Sequence, residues 1–169
     1  MANLKEIRTR ITSVASTMQI TSAMKMVSAA KLKRAQDAIT QMRPYAEKLR
    51  EILVNISSTP EGSAKGIYSQ ERDVKKVLIV AIASNRGLCG AFNANVFKAA
   101  ENRFKEYKGK DVQVYAIGKR SADYFSGKRT IFNSNTEIFN DLNYENVALI
   151  AGEIMAAFVD GEFDNCLLY

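Results

Sequence analysis

The chain has 169 residues, 47% hydrophobic and 25% charged, a globular composition with enough apolar mass for a core and too much for a disordered chain. Histidine is absent and the only cysteines, Cys89 and Cys166, lie far apart, which removes Ser/His and Cys/His nucleophile pairs, histidine metal sites and a disulfide framework. The formal charge of +6 resides in residues 1–34, where Lys5, Arg8, Arg10, Lys25, Lys31, Lys33 and Arg34 meet the single acid Glu6, so a basic partner-facing surface is expected in that segment.

No apolar run is long enough to span a bilayer, and "MANLKEIRTRI" enters helical spacing at once, so a soluble chain without a removable leader is expected. Steps of three and four from Leu4 reach Ile7, Ile11, Val14, Met18, Thr21, Lys25, Ser28, Leu32, Ala35, Ile39, Met42, Ala46, Leu49, Leu53 and Ile56, and thirteen of these sixteen positions are apolar. A 3.5-residue period held this long predicts one coiled-coil helix over 1–58. Pro44 lies inside it, but the heptad phase continues through Met42, Ala46 and Leu49, so a kinked, continuous helix is expected. The seam falters at Thr21, Lys25 and Ser28, beside Met18, Met24, Met26 and the bases ending at Arg34. That stretch reads either as weak coiled coil with a solvated basic face or as a surface that meets acidic partners, since methionine makes adaptable contacts.

Residues 57–76, rich in Ser, Gly and charge and holding Pro60, read as a connection, with the linker proper at 59–76. After it, strand patterns at 77–83, 112–117, 130–132 and 166–169 alternate with helical patterns near 91–107, 119–126 and 144–158. The predicted fold class is therefore α/β: a long coiled-coil helix, then a domain over 77–169 with a mainly parallel sheet and right-handed crossovers. The chain stops within the apolar run "CLLY", which reads as a cut end.

The stretch "SNRGLCGAFN", Ser84 to Asn93, falls at a strand-to-helix turn, where phosphate loops and nucleophile elbows occur. It lacks G-x-x-x-x-G-K-[ST] and G-x-G-x-x-G, and the later "IGKRS" and "SGKRT" put Arg120 and Arg129 where a hydroxyl belongs. Cys89 near a helix start and Arg86 favours a thiolate, yet no histidine is present to act as base, so a small half-buried thiol is the simpler reading. "GLCG" fits the GXXG loop of KH domains, but the surrounding elements run in the wrong order. Asp141 and Glu145, which could share a helix face, read as solvated acids. Gly87 and Gly90 are best explained by geometry, as residues permitting backbone angles or close approach.

Taken together, "LKEIRTRITSVASTMQITSAMKMVSAAKLKRAQ" from Leu4, "MRPYAEKL" from Met42 and "SNRGLCGAFN" resemble the γ subunit family of F-type ATP synthases, in that order along the whole chain. The family normally continues into a long C-terminal helix that this sequence lacks. The resemblance implies a non-catalytic central-stalk rotor that couples proton flow to ATP synthesis, with no cofactor or metal of its own. In that family the terminal helices form an antiparallel coiled coil inside the α3β3 hexamer. A Rossmann-like domain sits at the base near the ε subunit and the c-ring.

The implied partners are thus the ATP synthase alpha and beta subunits, epsilon and the c-ring, without direct membrane insertion. The implied location is the cytoplasmic side of a bacterial inner membrane. Met24 and Lys25 fall in the family's segment facing the catalytic subunits, and charge adds Lys31, Lys33 and Arg34. Gly87 and Gly90 become a structural turn. Without the second helix, the seam is expected to self-associate, to pair with a separate C-terminal piece, or to leave the helix disordered. The rival reading is a homodimeric coiled-coil nucleic-acid binder, against which the bases count by being spread around the helix.

Overall fold

A computed structural model describes residues 3–58, 66–69 and 72–169. The chain divides into two compact units, Met1–Ser63 and Ala64–Tyr169. Half of the connection expected at 59–76, residues 59–65 and 70–71, lies outside the described residues; Ile67–Ser69 forms one turn of 3-10 helix.

In the first unit, α1 (Leu4–Ser58) is a helix of 55 residues, roughly 80 Å at ~1.5 Å per residue. It continues through Pro44, whose missing N–H and ring cost one backbone bond without ending the helix. Its threonines, weak helix formers, satisfy their hydroxyls within the helix: Thr9 donates to the Lys5 carbonyl at 2.9 Å, Thr17 to Ser13 at 2.9 Å and Thr21 to Thr17 at 2.7 Å. All sixteen seam positions from Leu4 to Ile56 are exposed. Helices in proteins draw most of their stability from an apolar face packed on something, and each Leu, Ile, Val or Met side chain of the seam would contribute about 1.5–3 kcal/mol on full burial.

The second unit is built on a four-stranded sheet, β1 (Lys76–Ile82), β2 (Asp111–Ile117), β3 (Ile131–Asn135) and β4 (Asn165–Leu168), in the order β3-β2-β1-β4 with every pair parallel. The connecting helices are α2 (Phe92–Glu106), α3 (Lys119–Phe125) and α4 (Tyr144–Val159). The α/β class with a parallel sheet is as the alternating pattern predicts.

Central strand β1 is buried from Val77 to Ala81. A strand flanked on both sides and covered on both faces has no use for polar alternation, so it reads as an unbroken branched run. Its side chains still alternate. Leu78 and Val80 pack with Tyr115, Ile150, Ala157 and Phe163 under α4, whereas Val77, Ile79 and Ala81 pack with Ala100, Val114 and Phe125 under α2 and α3. Phe97 stacks on Tyr124 at 4.2 Å and meets Phe125 edge-on at 5.7 Å, which locks α2 to α3.

Strand β3 differs from its expected bounds for a physical reason, whereas the helix expected near 144–158 starts where expected. Strand β3 runs on to Asn135 rather than ending at Phe132. Its polar "NSN" end is held by the ladder to β2, where the register slips so that Val114 pairs Ile131 and Tyr115 pairs Asn133. Helix α4 starts at Tyr144, capped by Asn143, whose side-chain oxygen accepts from the Asn146 N–H at 2.8 Å. Asp141 therefore precedes the helix and does not share a helix face with Glu145. It is engaged instead with the side-chain amides of Asn143 at 3.0 Å and Asn146 at 3.4 Å.

Asp164 closes the start of the β1–β4 pair. Its Oδ2 accepts the backbone N–H groups of Lys75 and Lys76, each at 2.9 Å, and these two bonds, Lys76 first, hold its carboxyl below the usual carboxylate range. A carboxyl depressed in the folded state stabilises fully above its unfolded value near ~3.9, and the benefit is lost as pH falls through the folded value. We expect Asp164→Asn to lower the urea midpoint at neutral pH and the gap to wild type to narrow in acid below about pH 4. A gap that does not change with pH would contradict this account.

Candidate functional site

The sequence singles out two places, the methionine-and-base stretch of α1 and the glycine turn after β1. Met24, Lys25, Lys31, Lys33 and Arg34 are all exposed, Met24 to 65%. Among the described residues none of the four cations has an ion-pair partner. At about 100° per residue, Met24 and Lys31 share one side of the helix, Lys25 and Arg34 lie to the flanks, and Lys33 is opposite Met24. These residues are thus distributed around the rod and form no single stripe.

The glycine turn leaves β1 at its C-terminal end, beside the point where the chain order reverses between β1 and β4. Three side chains that motif reading passed over hold it. Asn85 bridges the loops: its Oδ1 accepts the Lys119 N–H at 2.8 Å from the turn after β2, and its Nδ2 donates to the Thr136 carbonyl at 2.7 Å after β3. Ser84 and Asn93 join the start of the turn to α2. The Ser84 N–H donates to Asn93 Oδ1 at 3.1 Å, and Asn93 Nδ2 donates to Ser84 Oγ at 2.9 Å. Backbone bonds finish the knot, with Arg120 N–H on the Ser84 carbonyl at 3.1 Å and Gly118 N–H on Asn135 at 2.8 Å.

The amides of Ser84, Gly118 and Lys119 are engaged by protein acceptors and so are not offered to a phosphate. The hollow beside the turn, about 270 Å³, is lined by Ile82, Ala83, Ser84, Asn85, Phe92 and Phe139, without a charged group. The chemistry this arrangement performs is cross-linking of three strand ends.

The glycines divide by cause. Gly90 adopts φ +61° in open space, so its need is conformational. Gly87 has an ordinary φ, and a Cβ there would meet only the mobile end of Arg120 at 3.3 Å. The tightest constraint is one the motif did not flag: Gly118, at φ 90° and ψ 147°, where a Cβ would stand 2.0 Å from the Ala83 carbonyl oxygen. Its signal was the glycine opening "GKRS" directly after a buried strand. Between the two expected glycines, Leu88 holds φ 61° with its side chain fully exposed.

Cys89, half-buried, has its thiol pulled below the ordinary value, first by the Asn93 backbone hydrogen bond and then by Ser84, with a smaller contribution from the charge of Arg120. The cation acting on it is Arg120, rather than Arg86 as the sequence suggested. Burial raises the Cys166 thiol. Elsewhere, a hollow of about 490 Å³ is lined in part by Tyr115, whose hydroxyl donates to Glu153 at 2.6 Å while Asn133 donates to the other carboxylate oxygen. Burial, and then Glu153, raise the Tyr115 phenol.

A protein-family model described as ATP synthase matches residues 3–169. The ATP synthase gamma chain of Flavobacterium johnsoniae is 62% identical over 164 residues, covering 97% of this chain and 57% of that protein. The gamma chain of Christiangramia forsetii is 54% identical over 169 residues, covering 99% and 59%. The chain therefore spans somewhat more than half the length of the curated relatives it matches. Among solved structures, a chain from the rotor of Euglena gracilis mitochondrial ATP synthase superposes with a TM-score of 0.56 at 20% identity, over 89% of this chain and 51% of that one, which is a likeness of fold.

Two outcomes follow from the turn. Gly118→Ala should cost more than about 2 kcal/mol by thermal unfolding, since backbone strain of ~1–3 kcal/mol is joined by a backbone overlap, whereas Gly90→Ala should cost only about 1–2 kcal/mol. Equal costs would mean that the approach to Ala83 is not limiting. In alkylation with iodoacetamide over a pH series, the rate at Cys89 should rise at lower pH than at Cys166, because a lower thiol pKa gives more thiolate at any given pH. The reverse order would refute the assignment of Asn93 and Ser84 as hydrogen-bond donors to the sulfur.

Proposed function

This chain belongs to the ATP synthase family, and on that premise we propose that it acts as the gamma, central-stalk subunit of an F-type ATP synthase. In this reading residues 1–58 form the rotor shaft, 59–76 the linker and 77–169 the Rossmann-like domain at its base. The observation that carries it is the seam of α1: sixteen positions in coiled-coil register, exposed along the helix from Leu4 to Ile56. Such a stripe calls for a second helix laid along it. The partners are then that helix, the alpha and beta subunits around the shaft, and the epsilon subunit and c-ring at the base.

The placement of Met24, Lys25, Lys31, Lys33 and Arg34 supports the same reading. A groove reader or a one-sided coiled coil concentrates its contacts on one face, but a shaft inside a ring is met from every direction. Exposed methionines suit sliding, adaptable contact, and unpaired cations suit acidic surfaces. Coupling would be mechanical. A stiff, asymmetric rod touches three identical catalytic subunits differently and so biases their nucleotide affinities in turn as it rotates. The rod supplies no reacting group, cofactor or metal in this scheme, and Gly87 and Gly90 serve the turn alone. Among the described residues no helix is long and apolar enough to cross a membrane. The proposal attaches the chain through the c-ring, on the cytoplasmic side of a bacterial inner membrane.

Co-expression with tagged alpha and beta subunits and the C-terminal portion of a gamma-chain relative tests the reading. One copy of this chain should co-purify per hexamer, and reversing Lys25, Lys31, Lys33 and Arg34 to Glu should weaken capture by roughly tenfold at low salt, about 1.4 kcal/mol. Recovery of the chain as a homodimer bound to nucleic acid, with no hexamer, would reject it.

A further inference from the structure

Beyond the rotor reading, and independent of it, the α/β unit carries a concentration of positive charge that overall composition conceals. Residues 103–129 hold eight bases and three acids, while residues 131–169 hold seven acids and no base. Four of these eight bases, Lys108, Lys110, Lys128 and Arg129, converge where two glycine turns lie side by side. Lys108-Gly109-Lys110 leads into β2, and Gly127-Lys128-Arg129 leads towards its neighbour β3. Gly109 at φ 90° and Gly127 at φ 74° allow both turns to be tight enough to bring these side chains round one hollow of about 320 Å³. The hollow is lined by Tyr107, Lys108, Lys110, Lys128, Arg129 and Thr130, among others.

We propose that this hollow is a binding site for a phosphate-bearing anion. Three observations support it. First, the acids around the hollow form no ion pair with its lysines: Glu101 pairs with Arg129, one of the lining cations, Glu106 pairs with Arg103, and Asp111 accepts from Gln113 at 3.2 Å. Among the described residues Lys108, Lys110 and Lys128 have no ion-pair partner, so their charge is available to a ligand. Second, the cations are ordered by aromatic faces. The Lys128 ammonium lies 3.9 Å from the Tyr124 ring centre, the Lys110 ammonium 5.5 Å from Tyr107 and the Arg129 guanidinium 4.2 Å from Phe104. Part of the entropy of ordering these long side chains is thereby met before a ligand arrives. Third, the volume sits at the small end of the range of about 300–1,000 Å³ typical of small-molecule sites, with ammonium, guanidinium and hydroxyl donors of the kind phosphate oxygens accept.

Phosphate groups reach a protein either in solution or on a lipid, and two probes separate the sources. The full chain is titrated calorimetrically with tripolyphosphate at low salt, and in parallel is sedimented with phosphatidylcholine vesicles with and without phosphatidylglycerol. Saturable, salt-sensitive binding to tripolyphosphate alone assigns a soluble anion; binding only to the anionic vesicles assigns a lipid headgroup. In either case Lys110→Gln with Lys128→Gln should weaken binding roughly tenfold or more, with circular dichroism unchanged. Lys31→Gln, Lys33→Gln and Arg34→Gln together, a control on the other basic segment, should leave it within about twofold, because none of the three lines the hollow. The proposal is overturned if neither probe binds, if the Lys110 and Lys128 variant binds like wild type, or if only the α1 variant loses binding.

Discussion

The α/β unit depends on burying β1 from both sides. Five consecutive residues, Val77 to Ala81, are shielded from water, and a strand so enclosed needs a parallel neighbour on each edge and helices over each face. The rest of the unit follows from that need: β2 and β4 flank it, α2 and α3 cover Val77, Ile79 and Ala81, and α4 covers Leu78 and Val80. Parallel neighbours in turn impose crossovers, and every crossover brings a loop to the same end of the sheet. Those crowded loop ends must satisfy their own polar groups or expose them. Asn85 resolves this by engaging the two neighbouring loops at once, and Gly118 by letting one backbone pass directly over another.

A doubly wound sheet places its customary ligand crevice at the C-terminal ends of the strands, at the point where chain order reverses. In this chain that location carries the conspicuous glycine motif, yet the Ser84 amide and those of Gly118 and Lys119 beside it are held by asparagine and backbone acceptors and the adjoining hollow has no charged lining residue. Exposed cations stand at both ends of the sheet: Arg86, Lys119 and Arg120 beside the glycine turn, and Lys108, Lys110, Lys128 and Arg129 round the hollow at the opposite ends of β2 and β3. Fold and motif alone do not identify a site, because the chemistry of a site lies in which groups remain free after the fold has satisfied itself.

Helix α1 presents the complementary case. Its apolar residues are as numerous as those of a core, but they follow a 3.5 period on one rod and are exposed. The stabilisation they could contribute is latent, available only when another helix covers the stripe. Mid-helix, where Thr21, Lys25 and Ser28 interrupt the stripe, polar and adaptable residues encircle the rod instead of lining one face. The two patterns suit different neighbours: the stripe a single partner along its length, the encircled region several partners around its girth.

Periodicity and composition by themselves determined the long helix, its passage through Pro44, the alternation of strands and helices, and the glycine turn of Ser84 to Asn93. These are local properties, since the spacing of apolar side chains already reports which face of an element is to be buried. The polar end of β3 was invisible to that reasoning because its hydrogen bonds come from β2 rather than from its own residues. Asn85, Gly118 and the Lys108–Arg129 cluster were likewise undetermined, for they join positions 20 to 51 residues apart that only strand pairing brings together. Net charge showed the same limit. A sum over residues reports neutrality beyond position 34, whereas the fold decides which charges stand beside a carboxylate and which beside one another.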